Sequence, residues 1–127
     1  MVWLGLITIA ALTEYFILGF MVGNARQKYG VPAPATTGDP MFERYYRVHY
    51  NTLEALVIFV PAFWLFAFFA YRWMAIVLGL AFIAGRFLYA QGYLADPAKR
   101  STGAFITFGV NGILLLGCAI AMIVRAL

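Results

Sequence analysis

The sequence predicts an all-α integral membrane protein, a four-transmembrane-helix bundle forming one domain over residues 1–127. Three observations carry this reading. Hydrophobic residues make up 65% of the chain and charged residues only 11%, with mean hydropathy +0.87. A water-soluble domain carries about 25% charged residues. Apolar runs long enough to cross a bilayer, about 20 residues each, occur four times. The polar segments between them collect most of the prolines and most of the basic residues.

The first span runs from about Val2 to Gly23. At about 1.5 Å per residue it crosses a hydrocarbon core of about 30 Å. Its notable polar side chains are Thr8, Thr13 and Glu14. The N-terminus shows no basic leader region and no convincing cleavage site, so it reads as a retained span. The following segment, Asn24 to Arg47, contains "YGVPAPATTGDP". That stretch must be a loop, because proline removes backbone donors and blocks helical continuation. Asp39 before Pro40 is a helix start, with Asp39 as cap and Pro40 in the first helical position.

The second span starts near Pro40 and becomes fully apolar at Ala55–Ala70. Pro61 should bend it or free the Val57 carbonyl for another partner. Tyr71-Arg72-Trp73 makes a tight interfacial turn, with aromatics at headgroup level. The third span runs from about Trp73 to Leu94 and ends in "GRFLYAQGYL". The loop Ala95–Gly103 precedes a fourth span from about Ala104 to Val124, in which Asn111 is the one strongly polar side chain.

Four spans place both termini on one side. The loop side then carries Arg26, Lys28, Arg44, Arg47, Lys99 and Arg100, against Arg72 and Arg125 on the terminal side. Basic residues accumulate in cytoplasmic loops. The loop side is therefore expected in the cytoplasm, with the termini away from it. The formal charge of +4 does not point to nucleic acid, because the basic residues sit at the ends of apolar spans. The single cysteine, Cys118, lies in an apolar run and reads as a small packing residue. No metal-ligand cluster is legible.

Polar residues form stripes that descend into the apolar segments. Arg44, Arg47, Asn51 and Glu54 fall within about 80° of arc on a helix. His49 points elsewhere. In the third span Arg86, Tyr89 and Tyr93 repeat the pattern at i, i+3 and i+7. Both stripes lie at the loop-side ends of their spans, where Arg26 ends the first span and Arg100 precedes the fourth. Arginines and tyrosines near span ends commonly serve as headgroup anchors. Arg86, however, lies eight residues inside the third span, and Asn51 and Glu54 gain nothing from facing lipid. Intramembrane ionisable groups usually face a bundle interior or a wet cavity. Arg47 and Glu54 are too widely spaced for the usual helical pair, so each is expected to find partners on another helix.

This set suits a small ligand bearing carboxylates and an amine. Arginines grip carboxylates bidentately, Glu54 receives an ammonium, and Asn51 offers a donor and an acceptor. A surplus of guanidinium groups also lowers the pKa of a bound thiol.

The segments "GVPAPATTGDPMFERYYRVHYNTLEALVIFVPAFWLF" and "GRFLYAQGYLADPAKRS" resemble the MAPEG family, membrane-associated proteins in eicosanoid and glutathione metabolism, and its small bacterial members most. The resemblance covers nearly the whole chain. It implies a four-helix subunit assembling as a homotrimer, with glutathione as co-substrate bound in a bent shape at subunit interfaces near the cytosolic face. It further implies glutathione ligands at Arg26, Arg47, Asn51, Glu54, Arg86, Tyr89 and Tyr93. Arg100 matches the arginine that stabilises the glutathione thiolate. Gln27, His49 and Ala55 depart from family members that carry arginine, glutamine and tyrosine there, which argues against leukotriene synthesis.

The implied activity is a glutathione transferase, with peroxidase activity as an extension, acting on lipophilic electrophiles or lipid hydroperoxides in a detoxification role. The alternative is a non-catalytic membrane binding or scaffold protein of the same fold. Arg100 discriminates the two: its loss abolishes thiolate formation in the first and affects only binding in the second. Glu14 costs several kcal/mol if ionised toward lipid. It is expected to be protonated or hydrogen-bonded inside the bundle, with a proton-linked or substrate-side role as the alternative. His49 is expected to be interfacial and non-catalytic.

Overall fold

A computed structural model describes all residues from Met1 to Leu127. Four helices, α1 (Val2–Tyr29), α2 (Pro40–Phe69), α3 (Arg72–Ala95) and α4 (Ser101–Ala126), make up almost the entire chain, with a short 3-10 turn at Pro97–Arg100 before α4. Each is long and apolar enough to cross a membrane.

The helix ends follow local chemistry. Helix α1 runs six residues beyond the expected Gly23, because nothing in "NARQKY" breaks a helix once it leaves hydrocarbon. It stops at Gly30, which adopts φ 68°, a left-handed cap that glycine adopts without strain. Asp39 caps α2 as expected, its carboxylate accepting from the backbone N–H groups of Met41 at 2.8 Å and Phe42 at 3.0 Å. Pro61 is accommodated inside a continuous α2. The turn between α2 and α3 is Ala70-Tyr71, one residue earlier than the expected Tyr71-Arg72-Trp73, since Arg72 already belongs to α3. Asp96 caps the 3-10 turn by accepting from Ala98 N–H at 3.1 Å. That turn tightens the second loop so that α4 begins at Ser101 rather than Ala104.

The core lies toward the terminal side of the bundle. Phe59 of α2 stacks on Phe82 of α3 with ring centroids 3.8 Å apart, and on Phe63 at 5.1 Å. Leu4, Ile7, Leu78, Val110, Leu114 and the expected packing residue Cys118 close around them. Trp64 of α2 donates its indole N–H to Thr8 of α1 at 3.1 Å, and Thr8 donates in turn to the Leu4 carbonyl at 2.9 Å. Helices α3 and α4 come very close at Gly103. A Cβ there would collide with the backbone of Tyr89 and the Gly85 carbonyl.

Only 29 of 127 residues are buried, and large apolar side chains such as Phe105 and Phe108 are 84% exposed. A soluble monomer does not present so much contiguous apolar surface. These side chains are suited to lipid or to neighbouring protein.

Candidate functional site

The site is built where α2, α3 and α4 meet near their loop-side ends. Arg86 is its centre. It is 96% buried, with a relative exposure of 4%. Its Nη2 donates to Thr52 Oγ1 of α2 at 2.8 Å, and its Nη1 to Thr107 Oγ1 of α4 at 3.4 Å. Its guanidinium lies 4.0 Å from the Tyr89 ring centroid. One arginine thus ties three helices together. A buried charge is tolerated only with such hydrogen-bond partners. Thr52 and Thr107 also donate back into their own helices, to the Val48 carbonyl and to those of Gly103 and Ala104. These bonds orient the hydroxyl lone pairs toward Arg86.

Tyr89 passes the arrangement outward. Its hydroxyl accepts from Asn51 Nδ2 at 2.6 Å. Its ring centroid is 5.7 Å from that of Tyr93, and the Arg100 guanidinium lies 5.7 Å from the Tyr93 ring. Five sequence-predicted residues, Asn51, Arg86, Tyr89, Tyr93 and Arg100, therefore form one connected line. It runs from deep in the bundle to the 3-10 turn. Arg100 is exposed at its end and donates to the Pro97 carbonyl at 3.2 Å.

Two further predicted residues flank this line. Arg47 and Glu54 are exposed on the outer side of α2. Neither side chain makes a hydrogen bond to another helix within this chain, so the partners expected for them are not found there. Glu54 lines a cavity of about 370 Å3 with Asn51, Arg86, Tyr89, Thr107 and Asn111. Asn111 donates to the Ala55 carbonyl at 3.2 Å, while its Oδ1 is buried without a partner.

Arg26 stands apart. Its guanidinium donates to the Ala35 carbonyl at 2.6 Å and the Val31 carbonyl at 3.5 Å, and lies 4.8 Å from the Phe42 ring centroid. Within the chain it fastens the first loop against the start of α2. Arg44, from the same stripe as Arg47, donates to the Leu94 and Ala95 carbonyls, each at 3.2 Å. It satisfies the open C-terminal end of α3. His49 points away from the line, as expected, and stacks on Tyr15 of α1 with ring centroids 4.4 Å apart.

Thr52 and Thr107 were not singled out from sequence. The available signal was the depth of Arg86, which demands acceptors on neighbouring helices. Threonines are common enough in spans that their residue type alone does not identify them.

The site has donors for carboxylates, a carboxylate for an ammonium, and an exposed guanidinium at the loop-side end of the line. The chain matches the MAPEG family model over residues 4–120. It is 43% identical over 123 residues to an uncharacterized protein of Synechocystis sp., covering 97% of this chain and 90% of that one. It is 40% identical over 107 residues to human microsomal glutathione S-transferase 2, covering 84% of this chain and 71% of that one. To bovine leukotriene C4 synthase it is 36% identical over 89 residues, covering 70% of this chain and 58% of that one. The model match spans all four helices and includes every residue of the polar line, and on these grounds the chain belongs to the MAPEG family.

Proposed function

We propose that this protein is a membrane-bound glutathione transferase that joins glutathione to lipophilic electrophiles and also reduces lipid hydroperoxides. The observation that carries the proposal is the connected line from Arg86 through Tyr89 and Tyr93 to Arg100, flanked by the exposed Arg47 and Glu54. Relatives named microsomal glutathione S-transferase support the same chemistry.

The residues divide the work by charge. Arg47 and Arg86 attract the carboxylates of the tripeptide, Glu54 its ammonium, and Asn51, Tyr89 and Tyr93 its amides. Arg100 sits at the surface end of the line, where its fixed positive charge favours thiolate over thiol. The thiolate attacks an electrophile delivered by the bilayer. A C–S bond forms, and the leaving group departs with the electron pair. With a hydroperoxide, two glutathione molecules are oxidised to the disulfide while the peroxide is reduced to an alcohol and water. Positioning and thiol activation supply the rate, and no protein nucleophile is required.

The exposure of Arg47 and Glu54 supports a ligand face completed by a neighbouring copy, and we place the site at the subunit interfaces of a homotrimer. Arg26 joins the ligand set of that neighbour if glutathione displaces its loop carbonyls. The six basic residues on the loop side favour a cytoplasmic location for the site, in a bacterial inner membrane.

The test is turnover by purified protein with glutathione and a lipophilic electrophile or lipid hydroperoxide. Saturable, glutathione-dependent product formation that collapses in Arg100→Ala is expected. Glutathione binding without turnover on any electrophile or hydroperoxide would select the non-catalytic scaffold reading.

A further inference from the structure

A second cavity lies between α1 and α3, away from the polar line. It has a volume of about 810 Å3, in the range of pockets that hold a small molecule. Its walls are apolar, including Leu18, Ile83 and Phe87, and Ala84 and Ala90 leave room between the two helices. Both helices run in the same direction, from the terminal side to the loop side. The groove therefore has a deep end at Ala10 and Leu80 and a mouth at Met21 and Leu94.

Its polar lining is three side chains, Thr13, Glu14 and Gln91, and no hydrogen bond joins Thr13 to Glu14. Gln91 is near the mouth. Glu14 lies seven residues before Met21, about 10 Å deeper at 1.5 Å per residue. The Glu14 Oε2 atom is buried and has no hydrogen-bond partner. The nearby charge is Arg86, whose Nε is also buried and unpaired, yet no hydrogen bond joins the two side chains. Arg86 donates through its two Nη groups to Thr107 and Thr52, and its Nε–H does not reach Glu14. An open acceptor in an apolar groove is costly unless something donates to it.

An ordinary saturated lipid chain does not meet that need. It would place methylene groups against the Glu14 carboxyl and leave the oxygen unpaired. A chain with an O–H group partway along its length fills the apolar walls and donates to Glu14 at depth, while its polar head stays at the mouth beside Gln91. From the groove and its unpaired carboxyl oxygen, we propose that the α1–α3 cavity binds single-chain lipids hydroxylated within the chain, with Glu14 accepting the hydroxyl. This assignment does not depend on what occupies the α2–α3 line.

The test compares ricinoleate, which carries a hydroxyl well inside its chain, with oleate, which lacks it. Each competes with tritiated ricinoleate in a scintillation proximity assay on detergent-solubilised full-length protein. Ricinoleate is expected to bind about three- to tenfold more tightly than oleate, the scale of one hydrogen bond. Glu14→Leu removes the acceptor and keeps the apolar bulk of the wall. It should erase the preference while leaving oleate binding in place. Ala84→Trp, which fills the groove, should abolish both. The glutathione titration should still saturate in both variants, which separates loss of lipid binding from loss of the fold. Equal binding of the two lipids by wild type, a preference that survives in Glu14→Leu, or no saturable binding of either lipid would each overturn the assignment.

Discussion

Arg86 of α3 donates to Thr52 of α2 at 2.8 Å in the buried part of the bundle. Residues 34 positions apart in sequence are joined there by a charge-assisted bond, and the position of Tyr89 above the guanidinium follows from it. Thr52→Val keeps the shape and removes the acceptor. A hydrogen bond to a charged group is worth about 1.5–3 kcal/mol, so thermal stability should fall by that amount and glutathione should bind more weakly. Thermal unfolding in detergent, with and without glutathione, measures both effects. Thr52→Ser should restore most of each.

Tyr89 has two separable roles. Its hydroxyl accepts from Asn51, and its ring covers Arg86 at 4.0 Å. Tyr89→Phe removes only the first, so stability should drop by about 0.5–1.5 kcal/mol while the fold persists. Tyr89→Leu removes both and should be the more destabilising by about 0.5–2 kcal/mol, the worth of a cation–π contact. Chemical unfolding of the two variants side by side tests the order.

Arg26 fastens the first loop through the Ala35 and Val31 carbonyls. Arg26→Ala should release that loop, so limited proteolysis between residues 30 and 39 should become markedly faster. Arg47→Ala, which removes an exposed side chain bonded to nothing within the chain, should leave proteolysis unchanged and weaken only ligand binding.

Gly103 allows α4 to lie directly against the backbone that carries Tyr89. A leucine there cannot be accommodated by a flexible neighbour, because the obstructing atoms are backbone. Gly103→Leu should separate α3 from α4, break the Arg86–Thr107 contact and abolish a stable fold. Gly109→Leu has open space around its Cβ and should fold normally. Circular dichroism and size-exclusion profiles of the pair distinguish the outcomes.

Much of this architecture is legible in the amino-acid order, for physical reasons that differ by element. Asp39-Pro40 states its own helix start, and the prolines of the first loop state that no helix crosses it. The depth of α1 in the membrane and its length as a helix are separate properties, which is why its hydropathy ends near Gly23 but its hydrogen bonds continue to Tyr29. The line Arg86, Tyr89, Tyr93 follows from helical periodicity, because three residues on one face of one helix need no tertiary information. Arg26 and Arg44 are different. Their partners are backbone carbonyls in a loop and at a helix end, and residue type does not reveal which carbonyls will be free. The unpaired Glu14 oxygen depends on how α1 meets α3, which periodicity does not describe.

The most informative measurement is ultraviolet difference absorbance of the detergent-solubilised protein titrated with glutathione at neutral pH. Thiolate absorbs where the thiol does not. A saturable signal in wild type that disappears in Arg100→Ala, with binding largely retained, is the outcome expected for a site that holds and activates the tripeptide. A flat titration from intact protein would contradict it, and the line from Arg86 to Arg100 would then require a different anion or a partner protein.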